Sequence, residues 1–276
     1  MFRKYYGVVI LKKSSALFLC LCIFLCGCSS ETTSLYQEKT NFQEIVVFED
    51  SDFRITATDI QYNAGNIEIK ILVENNFKEN ATVYCDSFIV NDVMITALMW
   101  IDVSAGGKAN GTIFFDRSDL QVAGIEQINT VLSYGAHISF DIRDDVEIAF
   151  SITENADYVQ IINEEGKLLY SENGITIISK FESGKYSDSI PLLIKNESGQ
   201  DFHIMSNNVT VNGYTIPEVH YYTPICDGTY RFFEIKLSSW GIEENEIDMI
   251  ESASFSFNFM EPKSTHVIFQ TAQLSA

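Results

Sequence analysis

Four histidines, six cysteines and 38 carboxylates are the side chains of this 276-residue chain that could hold a metal or act on a substrate. His137, His203, His220 and His266 stand singly, and no CxxC or HExxH pattern accompanies them. Zinc sites draw on short paired spacings, so the sequence predicts no transition-metal centre and no cofactor. Glu49-Asp50-Ser51-Asp52 and Asp141-Ile142-Arg143-Asp144-Asp145 offer the carboxylate oxygens that calcium prefers, but without EF-hand spacing they read as solvated loops at strand ends. Nucleophilic catalysis lacks its frames too. There is no GxSxG elbow and no SxxK, and nothing marks a base beside Cys85 or Cys226, which read as small core residues. "AGGKAN" (105–110) lacks P-loop spacing and reads as a turn. Glycoside hydrolysis needs two carboxylates ~5–10 Å apart, a distance that sequence spacing does not determine. No residue is assigned as catalytic.

Binding has a better candidate. "ALMWIDV" (97–103) and "EVHYYTP" (218–224) each follow a hairpin signal and carry consecutive large apolar residues. Neighbours on a strand point to opposite faces. One residue of each pair is therefore expected in the core and the other partly exposed. Met99, Trp100, Tyr221 and Tyr222 form the candidate binding surface.

The N-terminus supplies a different chemistry. Arg3, Lys4, Lys12 and Lys13 form a basic region, and Ala16 to Cys26 an apolar run of secretory length, too short to span a bilayer comfortably. Leu25-Cys26-Gly27-Cys28 closes the run and resembles the bacterial lipobox, with polar Ser29, Ser30, Glu31, Thr32, Thr33 and Ser34 after it. That resemblance implies cleavage before Cys28 and a diacylglyceryl group on its sulfur. Two acyl chains, at ~0.8 kcal/mol per buried methylene, anchor stably where one holds only marginally.

The acidic balance narrows the partners. Loss of the four basic residues of the leader, from 18 Lys and Arg in all, leaves 14 against 38 Asp and Glu, a net charge of −24. Such a field opposes nucleic acid and anionic head groups, so no nucleic-acid partner is expected. Besides Cys28, only Cys85 and Cys226 remain after cleavage. They lie at non-equivalent places in different repeats and are expected to stay unpaired, since a bridge needs Cα atoms within ~7 Å.

The elements that must position these side chains are strands, and they recur. "IKILVENNFKENATVYCDSFIVNDVMI" (69–95) lies over "PLLIKNESGQDFHIMSNNVTVNGYTI" (191–216), with Asn75 on Asn196 and Val90-Asn91 on Val211-Asn212. "FRITATDI", "NIEIKILVEN", "GTIFFD", "AHISFDI", "GITIIS", "FFEIKL" and "ASFSFNF" alternate with period 2 and are rich in β-branched and aromatic residues. Asn212-Gly213 is a strong two-residue hairpin signal, with Asn91-Asp92 its weaker counterpart. In both copies the apolar phase flips, after Cys85 and after Ser206, which predicts a bulge. Helical turns are expected near 117–128 and 237–250, with Ser118 and Ser238 or Ser239 as N-caps. The sequence thus predicts an all-β chain: a signal peptide (1–27), a lipidated tether (28–44), a first sandwich (45–151), a connector (152–166) and a second sandwich (167–276).

This arrangement resembles a group of uncharacterised lipoproteins of low-GC Gram-positive bacteria with tandem immunoglobulin-like β-sandwich repeats. The resemblance rests on Glu74-Asn75-Asn76, Val90-Asn91-Asp92, the small-residue turn 104–110, and Ser118-Asp119-Leu120 with Gly124-Ile125-Glu126. In the second copy Pro224-Ile225-Cys226-Asp227-Gly228 replaces the small-residue turn. The group implies no known reaction. The expected protein is a non-enzymatic binding module on the extracytoplasmic face of the cell membrane. Its partners would be the bilayer, through the diacylglyceryl anchor, and a protein or cell-wall component. The alternatives are an envelope assembly or stress accessory of a membrane complex, and a surface hydrolase with an unrecognised site.

Overall fold

The computed structural model describes residues 42–152, 157–185, 187–217 and 222–276, with backbone only at Phe140 and Asp141. Cys28 and Tyr221 lie outside the described residues. Among the described residues no helix is long and apolar enough to cross a membrane.

The first repeat contains β1 (Ile45–Glu49), β2 (Phe53–Asn63), β3 (Asn66–Asn75), β4 (Ala81–Val90), β5 (Val93–Val103) and β6 (Lys108–Phe115). It continues through α1 (Arg117–Val122), β7 (Thr130–Ser133), β8 (Ala136–Ile138), α2 (Ser139–Ile142), β9 (Arg143–Val146) and β10 (Ala149–Ser151). The second contains β11 (Lys167–Glu172), β12 (Ile175–Ser179), β13 (Ser189–Asn196), β14 (Phe202–Val211), β15 (Tyr214–Thr215), β16 (Thr223–Ile225) and β17 (Thr229–Lys236). Then come α3 (Ser239–Glu244), β18 (Ala253–Met260), β19 (Val267–Gln270) and β20 (Leu274–Ser275).

Each repeat is a β-sandwich. In the first, β1-β2-β3-β6 packs over β4 and its neighbours β5, β7 and β8. In the second, β11-β12-β13-β17 packs over a sheet centred on β14 and β18. Period-2 alternation builds the cores. β3 buries Ile67, Ile69, Ile71 and Val73 from one face, and β18 buries Phe255, Phe257 and Phe259. Such packing of aromatic and β-branched side chains on a pleated surface is the main stabilising term, at about 1.5–3 kcal/mol for each fully buried large apolar residue.

The two copies share a set of polar fastenings. Buried Asn75 donates from Nδ2 to Glu79 O (2.9 Å) and Val103 O (3.4 Å) and accepts from Phe77 N (2.8 Å). Buried Asn196 donates to Gln200 O (2.9 Å) and Ile225 O (3.2 Å) and accepts from Ser198 N (3.1 Å). Asn91 donates to Gln127 O (2.7 Å) and accepts from Asn129 N (2.8 Å) and Thr130 N (3.1 Å). Asn212 does the same to Met249 O (2.8 Å), Glu251 N (2.8 Å) and Ser252 N (3.1 Å). Both hairpins put two consecutive residues at positive φ, Asn91 and Asp92 at 50° and 66°, and Asn212 and Gly213 at 50° and 85°. That is the twist a two-residue turn requires. The register slips between Cys85 and Ser87 in β4 and between Asn207 and Thr210 in β14, so the phase flips in the sequence are real irregularities of pairing.

One capping residue differs from expectation. The side chain that caps α1 is Asp116, which accepts from Ser118 N (2.8 Å); Ser118 is the second residue inside the helix. Ser238 caps α3 as expected, accepting from Gly241 N (3.4 Å). Both helices close with the paired bonds of a Schellman motif, Gly124 N to Gln121 O and Ile125 N to Leu120 O in α1, and Glu246 N to Glu243 O and Ile247 N to Ile242 O in α3.

β5 and β17 join the sandwiches edge to edge, in parallel, at Val93–Tyr230 and Met94–Arg231. Met94 belongs to the second core, and Tyr230 and Phe232 pack against the first. Residues 157–166 run without regular structure but are tied to both sides. Gln160 donates to Gly124 O (3.0 Å), and Tyr230 Oη donates to Glu164 Oε1 (2.7 Å).

Candidate functional site: the groove between the repeats

A cavity of about 1370 Å³ lies along this junction, lined from both repeats. Residues of β5 and β17 at the seam line it, Arg231 among them. In β17, Thr229, Arg231, Phe233 and Ile235 share the inward phase, so a guanidinium occupies a place that the strand otherwise gives to apolar or small side chains. Arg231 is only 8% exposed. It donates from Nη1 to Pro224 O (3.0 Å) and from Nη2 to Thr96 Oγ1 (3.0 Å). Both acceptors are neutral, and among the described residues no carboxylate lies within ion-pair distance of it.

Electrostatics follow from that burial. Desolvation pulls the Arg231 pKa down to about 10, against the opposing fields of Cys226, Asp119 and Asp86. The group stays protonated at neutral pH. Asp119, at the start of α1, is held above the usual carboxylate range by burial and by Asp116, while Arg231 pulls it back. His203, on β14, is lowered by burial and then by Arg231, so its imidazole is neutral at pH 7. The site thus holds one buried cation, a neutral imidazole, and carboxylates at a distance. Burial raises the thiols of Cys85 and Cys226 to about 11 and about 12, so neither supplies a thiolate at neutral pH.

The sequence-derived surface residues separate. Met99 is fully buried (0% exposed) in the first core, which removes it from any binding surface. Alternation along β5 turns Met99 inward and Trp100 outward. Trp100 is 60% exposed, with its ring edge on Tyr84 at 5.5 Å. Tyr222 is 54% exposed and lines the groove, while Trp100 does not. Trp100 instead belongs to an exposed apolar stripe on the outer faces of β5 and β6 with Leu98 and Phe114, which pair across the strands.

The acidic clusters are filled by side-chain cations. Arg143 donates to Asp50 Oδ2 (2.8 Å) and Asp52 Oδ2 (2.7 Å), and Lys263 to Asp145 Oδ2 (2.7 Å) and Asp144 Oδ2 (3.3 Å). Among the described residues no group of three metal-ligating side chains converges. Cys85 and Cys226 are free thiols buried in different cores.

Motif spacing does not single out Arg231. A signal was present: in "TYRFFEIK" the arginine falls in the apolar phase, between Thr229 and Phe233.

No family model matches the chain, and no curated protein matches it. Among solved structures it aligns with a red sea bream transglutaminase at 6% identity and a TM-score of 0.21, over 80% of this chain and 29% of that one.

Proposed function

We propose that this chain is a membrane-anchored extracytoplasmic lipoprotein, lipidated at Cys28, that acts as a non-enzymatic binding module through the groove between its two sandwiches. The observation that carries the binding role is the groove itself, with a buried guanidinium in its lining and walls from both repeats. The volume is above the ~300–1,000 Å³ common for small-molecule sites. The anchor rests on Leu25-Cys26-Gly27-Cys28 at the end of the apolar run. A second reading, an accessory of a membrane complex, draws on the exposed stripe of Leu98, Trp100 and Phe114, the kind of patch that contacts other proteins.

Two measurements test the proposal. Metabolic lipid labelling should be lost in Cys28→Ser, and labelling that persists would refute the anchor. A photo-crosslinking residue at Tyr222 should capture a ligand or cell-surface component. Capture should be lost when Val122→Trp narrows the groove and kept with Leu168→Trp, an exposed site outside it. Capture unaffected by Val122→Trp would refute the groove as the binding face.

A further inference from the structure

We propose that Arg231 receives the carboxylate of a zwitterionic amino-carboxylate ligand in the inter-repeat groove, with Asp86 and Asp119 providing the countercharge for its ammonium group. This deepens the groove reading and rests on it.

The first ground is an unmet charge. A guanidinium has five N–H donors, and Arg231 places two of them on neutral oxygens. Holding an unpaired cation out of water is costly, and an apolar side chain of similar volume is often as stable or more so. The first repeat shows the cheaper solution. In the antiparallel ladders Val73 pairs with Ala109, and the matching Ile194 pairs with Arg231. Folding does not require a cation at this ladder position. A ligand anion would supply the missing partner, and the planar fork of arginine fits a planar carboxylate through two parallel bonds.

The second ground is the company Arg231 keeps. Asp86 and Asp119 line the same groove, close enough to act on Arg231 but not paired with it. Glu234 is taken by Lys236, and Asp145 by Lys263. A phosphate dianion would meet this acidic surround with repulsion. A ligand with one carboxylate and one ammonium satisfies both signs. Free amino acids carry that pair of groups, and so do peptides through their two ends.

The test is calorimetric titration of the full chain in detergent. The probes are the standard L-amino acids, their C-terminal amides, Gly-Gly peptides ending in the same residues, and inorganic phosphate. A carboxylate probe should bind with a Kd at or below ~1 mM, and its amide about tenfold weaker or worse. Phosphate should not bind. Binding by free amino acids or by peptides alone identifies the source. Arg231→Met should abolish binding while the chain stays folded. Arg231→Lys, which keeps the charge and loses the fork, should weaken it by about tenfold. The proposal is overturned if no carboxylate probe binds, if amides bind as well as acids, or if Arg231→Met binds like the wild type. Should Arg231→Met fail to fold, Arg231→Lys decides by the same criterion. Crosslinking at Tyr222 that persists in the Arg231 variants would overturn this inference alone and leave the groove as the binding face.

Discussion

The two sandwiches spend the same topology differently. In repeat 1, β5 runs unbroken for 11 residues and pairs with β4 across most of its length. Its Ile101 fills the space over Gly111, where an added Cβ would lie 2.3 Å from Ile101 Cγ1. In repeat 2 the described residues of the corresponding stretch include β15 and β16, two and three residues long. The β17 positions that match Ala109 and Gly111 carry Arg231 and Phe233. β16 pairs with β14 as the end of β5 pairs with β4, but at these two β17 positions repeat 2 carries longer side chains than repeat 1, and one of them is charged. Repeat 1 shows what this fold needs for stability alone. The departures in repeat 2 are the positions on which the proposed binding role rests.

The most severe way to break the comparison is to give repeat 1 the side chain of repeat 2. Gly111→Phe should force Ile101 out of place and destabilise by about 3 kcal/mol, the upper end of what overpacking commonly costs, because even an added Cβ would lie 2.3 Å from Ile101 Cγ1. A loss under 1 kcal/mol in denaturant unfolding would show that the space over Gly111 is not filled as described. Next in size, Asn75→Ala and Asn196→Ala remove matching hydrogen-bond sets made by buried side chains. Each should cost about 2–3 kcal/mol, because the carbonyls of Val103 and Ile225 lose their Asn partner in buried surroundings. Unequal losses, differing by more than about 1 kcal/mol, would mean that the equivalence of the two networks is geometric and not energetic.

Smaller effects sharpen the helix ends. The residue that turns left-handed after α1 is Gly124 (φ 65°), and after α3 it is Glu246 (φ 52°). A side chain at that conformation is strained by ~1 kcal/mol. Glu246→Gly should therefore raise stability by about 0.5–1 kcal/mol, seen as a higher melting temperature, and no gain would show that Glu246 is held by contacts that offset the strain. The smallest effect is expected at Trp100→Ala, within about 0.5 kcal/mol of wild type, as for most exposed side chains. A loss near the 3–5 kcal/mol typical of a buried aromatic would place Trp100 in the core.

Much of the scaffold was legible because strands announce themselves by period. The alternation through Ile67, Ile69, Ile71 and Val73 and the Asn-Gly turn at 212–213 reappear in the structure as sheet and hairpin. So does the phase flip after Cys85, as a slip in register. Capping was less legible, since Asp116 and Ser118 both have the chemistry of a cap and backbone geometry alone chooses between them. The groove was not legible at all. It arises from which strand edges of the two repeats meet, Val93 and Met94 against Tyr230 and Arg231, and spacing within either repeat carries no record of that. The large apolar pairs Met99-Trp100 and Tyr221-Tyr222 point to a surface on each sandwich. The more informative residue was a single arginine standing in an apolar phase.

The most direct test of the central claim, that Arg231 is a ligand-binding cation and not a structural one, is to watch its Nε–H resonance. The full chain, labelled at arginine, should show a slowly exchanging side-chain Nε–H signal from this buried group, absent in Arg231→Met. Adding the tightest-binding amino-carboxylate should shift that signal and leave those of Arg3, Arg54, Arg117 and Arg143 in place. An unmoved Arg231 signal at saturating ligand, or equal movement of all five, would contradict it.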